Sequence, residues 1–380
     1  MILCAAAIAI GCAGLAAGFA FGPRLDAWLW LVIGFLVFGG IAQGLLVWAA
    51  VFRTAQARWT AVVNRLGHSA VGFLPVSLVT LAALLAGARE YIPWITEPIS
   101  EKQAWLNAGF LTARQLVLAV LLSVLSFFMV RRSLAADAKA SRGETITQRD
   151  HYNLTAISIS VAITYAVAFT IVSYDFVMSL DPTWMSTMFG PYYFVTNLYV
   201  SLGALIIMAA VARRSPGVER HTQPQQFQDL GNLMLAFSLF GMGLFFAQYL
   251  TTWYANLPWE TGFLILRYYR GEWPALGWTA FAVGYAIPFA LLQSRKVKRT
   301  PALAAPVASI AILGVALERY VLVVPSLKPD DLALAPPPGL VMLAFSGALI
   351  SAIGMFRRKY PSVSAADEAL GRHEPLAEAL

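Results

Sequence analysis

Ser173 to Tyr193, SYDFVMSLDPTWMSTMFGPYY, ends one apolar run and opens the next. It carries two acids, Asp175 and Asp181, between two otherwise uncharged runs, with Tyr174, Trp184, Tyr192 and Tyr193 around them. Aromatic rings, a Pro turn and few but placed charges are the pattern of a membrane interface. An acid so close to hydrocarbon needs a partner, water or a function. Phe245 to Arg270, FFAQYLTTWYANLPWETGFLILRYYR, repeats the layout.

Working outward, the whole chain fits this reading. Apolar residues make up 59% and charged ones 12%, against roughly a quarter charged in soluble domains. Mean hydropathy is +0.66. Ten runs are long enough to span, at roughly 20 residues each: about 2–21, 27–52, 69–87, 108–130, 153–178, 188–212, 229–252, 273–293, 301–324 and 336–356. The expected fold is an all-α integral membrane protein, with a polytopic domain over 1–358 and a short cytoplasmic tail over 359–380. The polar stretch Ser362 to Leu380 reads as surface or disordered. The first run lacks a basic n-region and is not read as a cleaved signal peptide.

Lys and Arg give an orientation. The loops after runs 2, 4, 6 and 8 and the tail hold 3, 5, 3, 4 and 4 of them, 19 in all, whereas the alternate loops hold 6. That bias places both termini in the cytoplasm, and it accounts for the net charge of +7 without nucleic acid. Three opposite-side loops contain Tyr91-Ile-Pro-Trp94, Asp181-Pro-Thr-Trp184 and Leu257-Pro-Trp259. They read either as ordinary Pro and Trp anchors or as marks of a repeated helix-bundle architecture, in which sites tend to lie between helices.

Residue placement excludes several chemistries. Cys4 and Cys12, eight residues apart on one helix, are about 12 Å apart, too far for a mutual disulfide. Two thiols also cannot supply an iron–sulfur cluster. His68, His151, His221 and His373 all fall in expected cytoplasmic loops or the tail, which argues against a haem or His-built metal site within the spans. The chain has no P-loop, dinucleotide fingerprint or HExxH.

What remains is a polar layer toward the outer side: Arg114, Asp175, Gln248 with Thr251, Glu318 and Arg319. Ionisable residues within spans are functional candidates. The structural alternative is an Arg114–Glu318 or Arg114–Asp175 pair that fixes helix packing. In the inner half, Asn153, Ser160 and Thr164 fall near one helical face extending toward Asp175, with Tyr165 and Asn232 nearby. Such groups can line a water wire or bond helix to helix. Asp175, Glu318, Arg114, Arg319, Gln248, Tyr165, Thr164, Asn153 and Asn232 are thus the proton-path candidates.

Phe246-Ala-Gln-Tyr249, Trp253-Tyr-Ala-Asn-Leu-Pro258 and Glu260-Thr-Gly-Phe263, together with Asp175 to Phe194, resemble the polytopic quinol oxidoreductase subunits of bacterial alternative complex III. These belong to the NrfD/polysulfide-reductase membrane-subunit superfamily, and the shorter ActF-type subunit fits best by length and ten spans. The resemblance is most specific in the two outer stretches and weak in runs 1, 9 and 10, with an NrfD-like core over about 69–293. The family pattern has two consecutive acids after the Pro, whereas here Trp259 precedes Glu260.

The resemblance implies a subunit of a quinol-oxidising respiratory or photosynthetic electron-transfer complex in the bacterial cytoplasmic membrane. It implies no redox cofactor on this chain, with haem c and iron–sulfur clusters carried by partners. Those partners would be a sister polytopic subunit, an iron–sulfur subunit and multihaem cytochrome c subunits, all assembled in the lipid bilayer. The chain's role would be structural, with proton conduction as an added function. One rival reading is a chain that binds quinol or menaquinol itself, through Asp175, Tyr192, Tyr193 and Asn197. Another is an independent ten-span transporter. Asp181, Trp184, Asn256, Glu260 and Arg267 form the expected outer-surface motif.

Overall fold

The computed structural model describes residues 2–57, 59–215, 218–332 and 334–364. The expectations for the tail beyond Ser364 lie outside the described residues. Those described are helical, with no strand among them.

Ten helices are long and apolar enough to cross a membrane. They are α1 (Ile2–Phe21), α2 (Arg24–Thr54), α3 (Ala61–Ala86), α4 (Ala108–Ser141), α5 (Gln148–Leu180), α6 (Phe189–Ala212), α7 (Pro224–Ala255), α8 (Trp273–Leu292), α9 (Pro301–Ser326) and α10 (Pro336–Lys359). The chain is a multi-pass membrane protein. A helix keeps all its backbone hydrogen bonds within one segment, which is why lipid selects it.

Several helices run past their apolar cores at the basic end. α3 starts at Ala61 rather than 69, α4 continues to Ser141 rather than 130, and α5 starts at Gln148 rather than 153. At 34 residues, α4 is about 51 Å long, well beyond a hydrocarbon core of about 30 Å. Local signals set the ends. The Asn107 side chain accepts the Phe110 N–H at the start of α4. Thr147 and Asp150 form a capping box on α5. Asn256, left-handed at φ 47°, closes α7.

The helices pack as two four-helix bundles, α2–α5 and α6–α9, with α6 also lying against α2 and α5. The bundled core therefore runs from Arg24 to Ser326. α1 and α10 form a flanking pair. Small residues let that pair close without a hydrophobic driving force: a Cβ on Gly11 would stand 2.5 Å from the Ala344 nitrogen. α8 and α9 meet more tightly still, because a Cβ on Gly314 would stand 2.1 Å from the Gly284 nitrogen.

That crossing coincides with a π-helical turn, Ala282–Ala286, inside α8. Pro288 has no N–H to give the carbonyl four residues back. The freed Gly284 carbonyl accepts the Tyr199 hydroxyl of α6 at 2.9 Å. A second π-turn, Phe35–Gly39 in α2, lies where Tyr193 of α6 donates to the Leu36 carbonyl at 3.5 Å.

Candidate functional site

In the α2–α5 bundle, Arg114 and Asp175 face each other from α4 and α5. The guanidinium donates through Nε at 2.8 Å and Nη2 at 2.5 Å to the two carboxylate oxygens. Its Nη1 donates to the Trp105 carbonyl at 2.8 Å, and its Cζ lies 4.2 Å from the Trp105 ring centroid. Gln115 adds a donor to Asp175 at 2.6 Å. Asp175 is fully buried. A bidentate pair with a neutral third donor is the geometry that holds a charge inside hydrocarbon.

Gln115 also borders a cleft between α2, α3, α4 and α5. The cleft has room of about 50 Å³, between apolar walls such as Phe35, Leu74, Leu81, Leu118 and Phe169. Gln43 lies in its wall and donates to Ser126 at 2.8 Å.

The second site lies in the α6–α9 bundle. Glu318 accepts the Tyr192 hydroxyl on one carboxylate oxygen and the Tyr285 hydroxyl, at 2.8 Å, on the other. Arg319 Nη1 reaches Glu318 at 3.4 Å. Its Nη2 donates to Thr196 at 2.5 Å and to Asn197 at 3.2 Å. The guanidinium lies over the Tyr193 ring at 4.2 Å. Thus Tyr192, Tyr193 and Asn197, expected to serve Asp175, belong instead to the Glu318–Arg319 cluster. The reason is helical phase: they sit on faces of α6 turned to α9 and α2.

The inner stripe also needs correction. Asn153 and Thr164 are half-buried, and Ser160 and Asn232 are exposed. The inward face of α5 carries Leu154, Ser158, Val161, Tyr165, Ala168, Val172 and Asp175. Ser160 satisfies its hydroxyl on the Ala156 carbonyl of its own helix, so it can face lipid without an interhelical partner. Tyr165 does point inward and donates to the Phe194 carbonyl at 3.1 Å. Gln248 is buried at the end of α7 but is hydrogen-bonded to neither carboxylate.

The outer-surface motif divides. Asp181 accepts from Thr183 within its own loop, Asn256 is an exposed cap, and Glu260 is half-buried. Trp184 and Arg267, by contrast, are buried. Trp184 stacks on Phe263 with centroids 3.7 Å apart. Arg267, on the short helix Pro258–Tyr268, donates to the Val321 and Leu322 carbonyls at 3.0 and 2.8 Å and to the Ser326 hydroxyl at 2.6 Å. It thereby satisfies the carbonyls left open at the end of α9. Burial pushes its pKa down from the ordinary arginine range, and the Asp181 charge opposes that shift.

His68 was expected in a loop, yet it is buried near the start of α3. With Arg53, Asn64, Ser133 and Ser158 it lines a small inner cavity. Nearby, Arg65 pairs with Asp137, which also accepts the Ser364 hydroxyl at 2.7 Å. His151 lies in the first turn of α5, with Nδ1 3.0 Å from Arg53 Nη2. His68 and His151 thus lie on candidate spanning helices rather than in loops.

Gln115, Gln43 and Tyr285 were not singled out from sequence. Only Gln115 had a signal, its place beside Arg114. No protein-family model matches this chain, and no curated protein matches it.

Proposed function

We propose that this chain is a membrane subunit of a quinol-oxidising electron-transfer complex of the alternative complex III type. In this reading it lies in the bacterial cytoplasmic membrane with both termini inside, and it carries no redox cofactor of its own. Clusters and haems belong to its partners. Its own contribution is to build the complex and to conduct protons.

The observation that carries the reading is Asp175, a buried carboxylate whose donor Gln115 borders an apolar cleft between spanning helices. Quinol oxidation releases two protons for two electrons. An acceptor for such protons has to be a titratable group within hydrogen-bond reach of a lipid-soluble donor. Arg114 holds the carboxylate in place, and Gln115 is positioned to exchange its hydrogen bond with an entering group.

A second reading, in which this chain itself seats the quinol, is favoured by the cleft. Its apolar walls suit an isoprenoid tail, and Gln115 and Gln43 suit the headgroup oxygens. Tyr192, Tyr193 and Asn197 have no part in that seat, since they are engaged with Glu318, Leu36 and Arg319.

Purification from native membranes tests the main reading. The expected result is copurification with haem- and cluster-bearing partners, and a lower quinol-dependent turnover in Asp175→Asn at unchanged haem content. A chain that emerges alone, as a transporter would, overturns it. Quinol-analogue affinity separates the second reading: Gln115→Leu should weaken it, and an unchanged affinity would rule out a seat in this cleft.

A further inference from the structure

At the basic end of the molecule four cations are held in internal ion pairs. Lys139 pairs with Asp150, Arg142 with Glu144, Arg213 with Glu219 and Arg65 with Asp137. Asp229 accepts a hydrogen bond from Gln225. The turn between α8 and α9 concentrates cations that have no such pair. Its short helix Arg295–Arg299 places Arg295, Lys296, Lys298 and Arg299 within five residues. Among the described residues none of the four has a carboxylate partner, and Arg295 reaches only the Gln228 side-chain oxygen, at 3.4 Å.

Lys298 is the informative member. It is 8% exposed. Its stem packs on α7, since a Cβ on Gly231 would stand 2.8 Å from the Lys298 Cγ. Among the described residues its ammonium has no hydrogen-bond partner. A buried stem with an unpaired head is the form of a lysine that keeps its charge at headgroup depth. Immediately after it, α9 begins at Thr300–Pro301 with no side-chain cap, so the positive end of a long helix faces the same turn.

We propose that this turn is a binding site for the phosphate of an acidic phospholipid. Lys298 and Arg299 hold the phosphate, Arg295 and Lys296 supply the surrounding field, and the acyl chains lie against α7 and α9. A lipid is the source the position favours, because the unpaired ammonium belongs to a stem laid along a membrane-spanning helix. The site is independent of Asp175 and of the quinol reading.

The test uses the full chain in nanodiscs of phosphatidylcholine with one-fifth phosphatidylglycerol, followed by native mass spectrometry. The expected result is retained phosphatidylglycerol that falls about fivefold for each cation removed in Arg299→Gln and Lys298→Gln/Arg299→Gln. Arg131→Gln/Arg132→Gln, at the same end of the protein, should lose none. Arg299 is exposed, so its single variant reports even where the Lys298 change disturbs packing. Equal retention in wild type and Arg299→Gln would overturn the site, as would an equal loss in the Arg131/Arg132 control. Displacement of the lipid by millimolar inorganic phosphate would overturn the lipid assignment.

Discussion

Arg114 and Asp175 form an ion pair whose worth can be measured from both sides. Asp175 is fully buried and Arg114 is 9% exposed. Asp175→Leu would leave the guanidinium with one carbonyl, that of Trp105, and two aromatic rings. Breaking a buried pair by removing one partner costs about 3–5 kcal/mol, mostly through the stranded charge. At about 1.4 kcal/mol per factor of ten, the folded-to-unfolded ratio falls by roughly 10² to 4 × 10³. Arg114→Leu strands the carboxylate in the same way, though Gln115 still donates to it. The double change removes both charges, and replacing a buried pair with apolar side chains is often near neutral. A double-mutant cycle by reversible unfolding in mixed micelles should therefore give a coupling energy of about 3 kcal/mol or more. Single effects that add to within about 0.5 kcal/mol would mean two independent charges and would refute the argument.

Three further outcomes follow from other parts of the molecule. Gly314→Ala should destabilise by about 1–3 kcal/mol, because its methyl meets backbone of α8, whereas Gly243→Ala, with nothing within 4 Å, should be neutral or stabilising in the same unfolding assay. A cysteine at Thr183 should be labelled by an impermeant thiol reagent in whole cells and one at Ser141 should not; the reverse pattern would invert the proposed orientation. Burial opposes the charge on Lys328, but its hydrogen bonds to Asp331 and Asp26 outweigh that and leave its pKa raised. Its contribution is then complete below the ordinary lysine value of about 10.4 and lost as pH climbs through the folded value. The melting-temperature gap between wild type and Lys328→Met should hold steady to about pH 10 and narrow above it.

Spans are legible because each is a local property, about twenty apolar residues in a row. Arg114, Asp175, Glu318 and Arg319 are legible because a charge inside such a run stands out. Their partners are not, since Arg114 could meet either acid until helix packing chose Asp175. Arg267 looked like an outer loop charge because sequence does not show that α9 ends beneath it with open carbonyls. His68 looked like loop because Asn64 and Arg65 interrupt the apolar pattern, yet Arg65 finds Asp137, and the helix continues through both. Tyr285 had no signal, because its inward phase depends on the π-turn around it.

The two buried carboxylates differ in what could reach them. Both oxygens of Glu318 are taken by tyrosine hydroxyls, and Tyr192, Tyr285 and Arg319 are themselves buried in the α6–α9 bundle. A ligand could approach Glu318 only if α6, α8 and α9 moved apart, and α8 and α9 cross at Gly284 and Gly314 with no room for a methyl. Asp175 also has its two oxygens engaged, but one donor is the Gln115 amide at the cleft wall. Rotating that one side chain would open a hydrogen-bonding place on a charged carboxylate without moving a helix. Of the two sites, Asp175 is therefore the one with a donor at a cleft wall, and Glu318 the one that ties three helices together.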